Sequence, residues 1–163
     1  QGSAAAWIGG ADHIRLEHII ETRELDRVLR QSWQGLAIID GRPGDPELTA
    51  TAMQHADLVL LPLRPSPLDL HANGPILEQL GSGKLRGLAV ITQATPRTHD
   101  AESMKAVLAD QYNVPAAKTV IYSRVAHARA PMFGSGVCEA DPSGPAAAEI
   151  LQLADEIAGV AGL

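Results

Sequence analysis

The run Leu36-Ala37-Ile38-Ile39-Asp40 ends four apolar residues in a carboxylate and leads directly into Gly41-Arg42-Pro43-Gly44. A short apolar run bounded by glycine and proline predicts a buried parallel strand running into a loop. Open α/β sheets bind ligands outside the carboxyl ends of such strands, which makes Asp40 the strongest single candidate for chemistry. In folds that handle phosphates an aspartate in that place holds Mg²⁺ directly or through water, because a hard cation prefers oxygen ligands. The competing reading is an aspartate that only starts a turn at a strand end.

The other reactive residue types point to fewer possibilities. Gly81-Ser82-Gly83-Lys84 imitates a phosphate loop, but it follows a predicted helix and precedes a predicted strand, and Leu85 stands where a Mg²⁺-binding hydroxyl would be needed. A phosphate loop requires the opposite order, so the segment is read as a helix end. The six histidines are scattered, with no pair at metal-ligand spacing on one helix, and no Gly-x-Ser-x-Gly elbow occurs. Metal-hydrolase and serine-hydrolase readings therefore fall. The single cysteine, Cys138, excludes an internal disulfide framework and is expected as a small buried residue in a reducing compartment. Arg23, Arg27 and Arg30 recur at helical spacing and could touch DNA phosphates, but Glu21, Glu24 and Asp26 are interleaved with them. That pattern reads as a solvated mixed-charge face.

The elements that must position these residues follow from the apolar periodicity. Glu47 to His55 is predicted helical, Leu58-Val59-Leu60-Leu61-Pro62 a second strand, and Pro67 to Leu80 one helix with Ser66 as its N-cap and Gly81 closing it. Gly87 to Thr92 is a third strand, and Asp100 to Tyr112 a helix burying Met104, Val107 and Leu108. Lys118 to Tyr122 is a fourth strand, and Pro145 to Ala158 a closing helix with Ile150, Leu151, Leu153 and Ile157 inward. Upstream, Thr22 is expected to cap a helix carrying Leu25, Val28 and Leu29.

Strands alternating with helices predict one α/β domain over residues 1–163, with a doubly wound, mostly parallel sheet. Only 3% of residues are aromatic, so the core must be built from Ala, Leu, Ile and Val, which suits helices layered on a parallel sheet. A net charge of −6 argues against nucleic acid held by charge over the whole surface and leaves room for a local basic patch. No apolar run reaches the length of a membrane span and no signal pattern is present, so a cytoplasmic protein without membrane contact is expected.

Four segments, in order, resemble the ParA/MinD family of deviant-Walker ATPases, including its small plasmid-partition members. Gln1-Gly2-Ser3-Ala4-Ala5-Ala6-Trp7 is similar to the stretch after the second aspartate of the family's Asp-x-Asp-Pro-Gln-Gly-Ser signature, and Ile38 to Gly44 to its Walker B strand and switch loop. Ala56-Asp57-Leu58-Val59-Leu60-Leu61-Pro62-Leu63-Arg64-Pro65-Ser66-Pro67-Leu68-Asp69 resembles a segment of those partition proteins, and Arg124 to Pro131 the loop lying over the adenine.

The resemblance implies a P-loop NTPase-like fold using ATP/ADP and Mg²⁺. Asp40 would orient the metal and the attacking water. Gly41, Pro43 and Gly44 would move with nucleotide state, and Thr92, Gln93, Ser123, Arg124 and Val125 would border the base. For Thr92 and Arg124 the plain alternatives are a strand-end hydroxyl and a solvated arginine. Implied partners are a second copy in a homodimer, a ParB-like partner or adaptor protein, and non-specific DNA, with nucleoid association in the cell. The family's Lys-Gly-Gly-x-Gly-Lys-[Ser/Thr] loop and the strand before it are not in this sequence, and Gln1 is not a natural start. The expectation is a family fold lacking its first strand or strands, with little ATP binding or hydrolysis of its own. The sheet slot between the Asp40 strand and the Leu58–Pro62 strand would then be filled by a separate N-terminal fragment, by a strand swapped from another copy, or by re-pairing of Leu36–Asp40 with Leu58–Pro62. Two other functions stay open: a nucleotide-free partner-binding module, and an ATP-dependent amide synthetase of the same fold.

Overall fold

The structure is a computed structural model that describes residues 17, 19–31, 35–41 and 44–162. The chain divides into two compact units, Gln1–Ala56 and Asp57–Leu163. In the first, helix α1 spans Thr22–Leu29 and helix α2 spans Pro46–His55. Glu21 occupies the N-cap of α1, so Thr22 begins the helix and does not cap it as expected. At α2 the Asp45 carboxylate accepts the Leu48 N–H at 3.0 Å and Pro46 supplies the preset first-turn φ, which fixes that start. Leu25 and Met53 are the buried apolar residues of the two helices.

The segment Leu36–Asp40 overturns the expected buried strand. It forms neither helix nor strand, and Leu36 and Ile38 are 68% and 83% exposed. An apolar run becomes a strand only where a neighbour pairs its N–H and C=O groups, and no described residue does so here.

In the second unit, strand β1, Val59–Leu63, is followed by helices α3, Pro67–Ala72, and α4, Gly74–Gly81. Ser66 caps α3 as expected, its hydroxyl accepting the Leu68 N–H at 3.2 Å. The predicted single helix over Pro67–Leu80 breaks at Asn73 because Pro75 has no N–H to give and its ring would strike the carbonyl four residues back. Strand β2, Gly87–Ile91, pairs in parallel with β1, Val59 facing Gly87 and Leu63 facing Ile91. Helix α5, Asp100–Tyr112, follows. Helix α6, Val125–Arg129, runs into a 3₁₀ turn over Ala130–Phe133, and α7, Val137–Ala140, and α8, Pro145–Ala161, complete the unit.

Alternation along β2 distributes its side chains to two cores. Ala89 and Ile91 join Leu61, Leu63, Leu77, Leu80, Met104 and Leu108 on the face covered by α4 and α5. Leu88 and Val90 join Ala117 and Ile121 on the other face, against Ile150, Leu153, Ile157 and Val160 of α8. Leu151, expected inward, is 53% exposed, since it sits about 100° around the helix from Ile150. The sheet is thus a parallel pair with helices on both sides.

The predicted fourth strand, Lys118–Tyr122, is replaced by two isolated parallel bridges, Ala89 to Ala116 and Ala94 to Tyr122. Two carboxylates of α8 bind other N–H groups of the same segment. Glu149 and Glu156 lie two turns apart on one helix face. Glu156 accepts the Lys118 and Thr119 N–H groups at 2.6 and 3.0 Å, and Glu149 accepts that of Tyr122 at 3.1 Å. The Ala117 and Ile121 N–H groups still reach Ala89 O and Ile91 O at 2.8 and 2.9 Å, so the segment keeps part of a parallel ladder to β2.

Candidate functional site

The candidate residues fall in both units. Asp40 and Gly41 follow the exposed apolar run, and Gly44 lies just ahead of α2 with φ of 84°, a left-handed conformation that suits glycine. Pro43 and Arg42 lie outside the described residues, as do Gln1 to Trp7 of the first resembling segment. Asp40 is exposed and makes no ion pair or side-chain hydrogen bond with the described residues. No group of three ligating side chains gathers anywhere among them. One solvated carboxylate fits a Mg²⁺ held mostly by water and phosphate oxygens, for which one or two protein carboxylates are usual.

The second unit brings the remaining candidates together at the carboxyl end of β2. Thr92 donates its backbone N–H to Leu63 O at 2.8 Å, extending the β1–β2 ladder by one bond. The chain then turns at Gln93, whose φ of 53° is unusual for a residue with a Cβ. Ala94 bonds to Ile121 O at 3.3 Å and receives the Ser123 N–H at 2.9 Å. Those two bonds tie the Thr92–Gln93 corner to the Ser123–Val125 segment, and the sequence placed neither link.

Arg124 is not a solvated arginine. Its Nε and a terminal nitrogen contact Glu149 Oε1 at 2.8 and 2.5 Å, and its guanidinium lies 5.8 Å from the Tyr122 ring centroid. Hydrogen bonding to the Glu149 carboxylate holds the Arg124 pKa above its ordinary value. Glu149, itself only 9% exposed, therefore anchors both Arg124 and the Tyr122 backbone. Sequence reading assigned Glu149 no role; its only signal was a carboxylate set within the apolar run Ala146–Leu151.

Ser123, Arg124 and Val125 line a pocket of about 620 Å³ together with Arg129, Phe133 and Asp141. Its volume falls in the range of small-molecule sites. Nearby, His127 Nε2 is buried without a hydrogen-bond partner among the described residues. An orphaned ring nitrogen of this kind is costly, and His127 is not one of the residues lining the pocket.

The described residues thus form a mixed α/β protein with a small parallel sheet and candidate residues clustered at the carboxyl end of a strand. No protein-family profile matches the chain. It is similar to Maintenance of carboxysome distribution protein A of Halothiobacillus neapolitanus (strain ATCC 23641 / c2), 29% identical over 136 residues, an alignment covering 79% of this chain and 62% of that protein. The chain therefore spans less than two thirds of the length of this relative. Among the described residues no helix is long and apolar enough to cross a membrane.

Proposed function

We propose that the chain is the greater part of a ParA/MinD-like ATPase that positions a cellular cargo in the cytoplasm. The observation that carries the reading is the similarity, over 79% of the chain, to a protein named for maintaining carboxysome distribution. The family-like segments from Ile38 to Pro131, in the family's order, agree with it. The proposal extends to a doubly wound P-loop NTPase fold, of which the β1–β2 pair with helices on both faces would be one part. It also extends to an ATP-bound homodimer that associates with nucleoid DNA and is released by a ParB-like or adaptor protein. Plasmid, chromosome or organelle would be the cargo.

In this reading bound ATP with Mg²⁺ supplies the phosphoryl group to be hydrolysed. The chain's own contribution at Asp40 is a carboxylate that orients the attacking water, while Thr92, Gln93, Ser123 and Val125 border the base. Arg124 contributes by holding that segment on Glu149.

The test uses the natural full-length protein. Asp40→Ala is expected to lower steady-state ATP hydrolysis by about a hundredfold or more with the melting temperature nearly unchanged, because an exposed carboxylate leaves no cavity when removed. Turnover retained in Asp40→Ala would remove Asp40 from the site. Absence of ATP hydrolysis in the wild-type protein, with or without DNA and partner, would overturn the functional reading itself.

A further inference from the structure

We propose that the groove between α1 and α2 binds a tetrahedral oxyanion, either inorganic phosphate or the terminal phosphate of a small phosphomonoester. The groove measures about 470 Å³ and is lined by Thr22, Arg23, Asp26, Arg30, Thr51 and His55, with Gln54 at its side. The one carboxylate among its described lining residues is already engaged on both oxygens. Asp26 Oδ2 accepts Arg30 Nε at 2.7 Å, and Oδ1 meets His55 Nε2 at 2.9 Å. That engagement cancels the charge of Arg30 and leaves Arg23 as the uncompensated cation among the described residues lining the groove. Arg27, one step around the helix, is matched by Glu24 at 3.6 Å, whereas Arg23 has no ion-pair partner among the described residues.

What faces the groove is therefore a guanidinium with no ion-pair partner among the described residues, beside two hydroxyls and an amide. Guanidinium binds phosphate oxygens through two parallel N–H donors, and hydroxyl and amide groups donate to the remaining ones. A concave site between two helices suits a compact anion and not a rod-like duplex. In a chain of net charge −6, a local positive site of this kind stands against the overall field. The inference rests on α1 and α2 alone and is independent of the ATPase reading.

The experiment is an amide NMR titration of the natural full-length protein with sodium phosphate and, separately, glycerol 2-phosphate, against sodium chloride at matched ionic strength. Saturable shifts of Arg23, Thr51 and His55 are expected with at least one phosphate, and the stronger of the two titrations identifies the source. Arg23→Gln should weaken binding about tenfold or more, the usual effect of losing a charge-assisted contact. Thr51→Val should weaken it from the α2 side, while Arg27→Gln and Asp40→Asn should leave it unchanged. Equal shifts in chloride, undiminished affinity in both Arg23→Gln and Thr51→Val, or shifts with duplex DNA and neither phosphate would overturn the proposal. Loss of binding in Asp40→Asn would place the anion elsewhere and overturn it as well.

Discussion

Arg124 shows how a residue picked for ligand contact acquires a different physical role once its neighbours are known. Its charge is matched by Glu149, whose other oxygen holds the Tyr122 N–H, so the ion pair fixes the backbone that shapes the pocket. Truncating the arginine leaves a 9% exposed carboxylate without its cation. Arg124→Ala is expected to destabilise the protein by about 1–3 kcal/mol, the penalty for an unsatisfied buried acceptor, discounted because the arginine is partly solvated. Arg124→Ala combined with Glu149→Gln should recover part of that loss. Chemical denaturation of the single and double variants measures it, and a neutral Arg124→Ala would mean that the pair is too well solvated to matter. Gln93 is the complementary case. Its left-handed backbone was invisible in the sequence, because such strain is set by the tertiary links of Ala94 to Ile121 and Ser123.

Helices proved more legible than strands. Asp100–Tyr112 emerged with the boundaries its periodicity predicted, since a helix satisfies its own hydrogen bonds and its inward face is written every three to four residues. Strands depend on partners: the second and third expected strands formed as β1 and β2, which pair with each other, while the first and fourth did not. Leu36–Asp40 has the composition of a strand but no described neighbour to pair with, and in Lys118–Tyr122 the N–H groups of Lys118, Thr119 and Tyr122 go to Glu156 and Glu149 while that of Ile121 reaches Ile91 O of β2. The Gly81-Ser82-Gly83-Lys84 segment was read correctly as a helix end, and the packing adds a reason for Gly81. A Cβ there would sit 1.8 Å from the Tyr112 carbonyl oxygen, where α4 and α5 end side by side and Asn113 donates to the Gly81 carbonyl at 3.2 Å. Gly81→Ala must push the two helix ends apart and is expected to cost about 1–3 kcal/mol. At Gly83 the added methyl meets open space, so only its left-handed φ of 73° opposes it, at about 1–2 kcal/mol. Thermal melts of the two alanine variants, with Gly81→Ala the less stable, check the assignment; the reverse order would refute the close approach.

Across the whole chain, several carboxylates share one electrostatic signature, and it sets the response to acid. Arg64, through its side chain first and its backbone N–H second, holds Asp69 below the ordinary aspartate range. Arg30 and then His55 do the same for Asp26. At Glu156 burial pushes the carboxyl up, but the backbone N–H groups of Lys118 and Thr119 outweigh it and bring the group below its usual value. A carboxylate whose pKa is lower folded than unfolded binds protons more readily in the unfolded chain. Its contribution is therefore complete above the unfolded value of about 4 and disappears as pH falls through the depressed folded value. The melting temperature is expected to change little between neutrality and about pH 5 and to drop steeply below about pH 4. Glu156→Gln isolates one contributor. The amide retains a single acceptor for two N–H donors, so the variant should be less stable than wild type at pH 7. It no longer titrates, so the difference between the two proteins should shrink as the pH is lowered from about 5 to 3. Circular-dichroism melts of both proteins over that range provide the comparison, and a constant gap would show that Glu156 does not couple folding to protons.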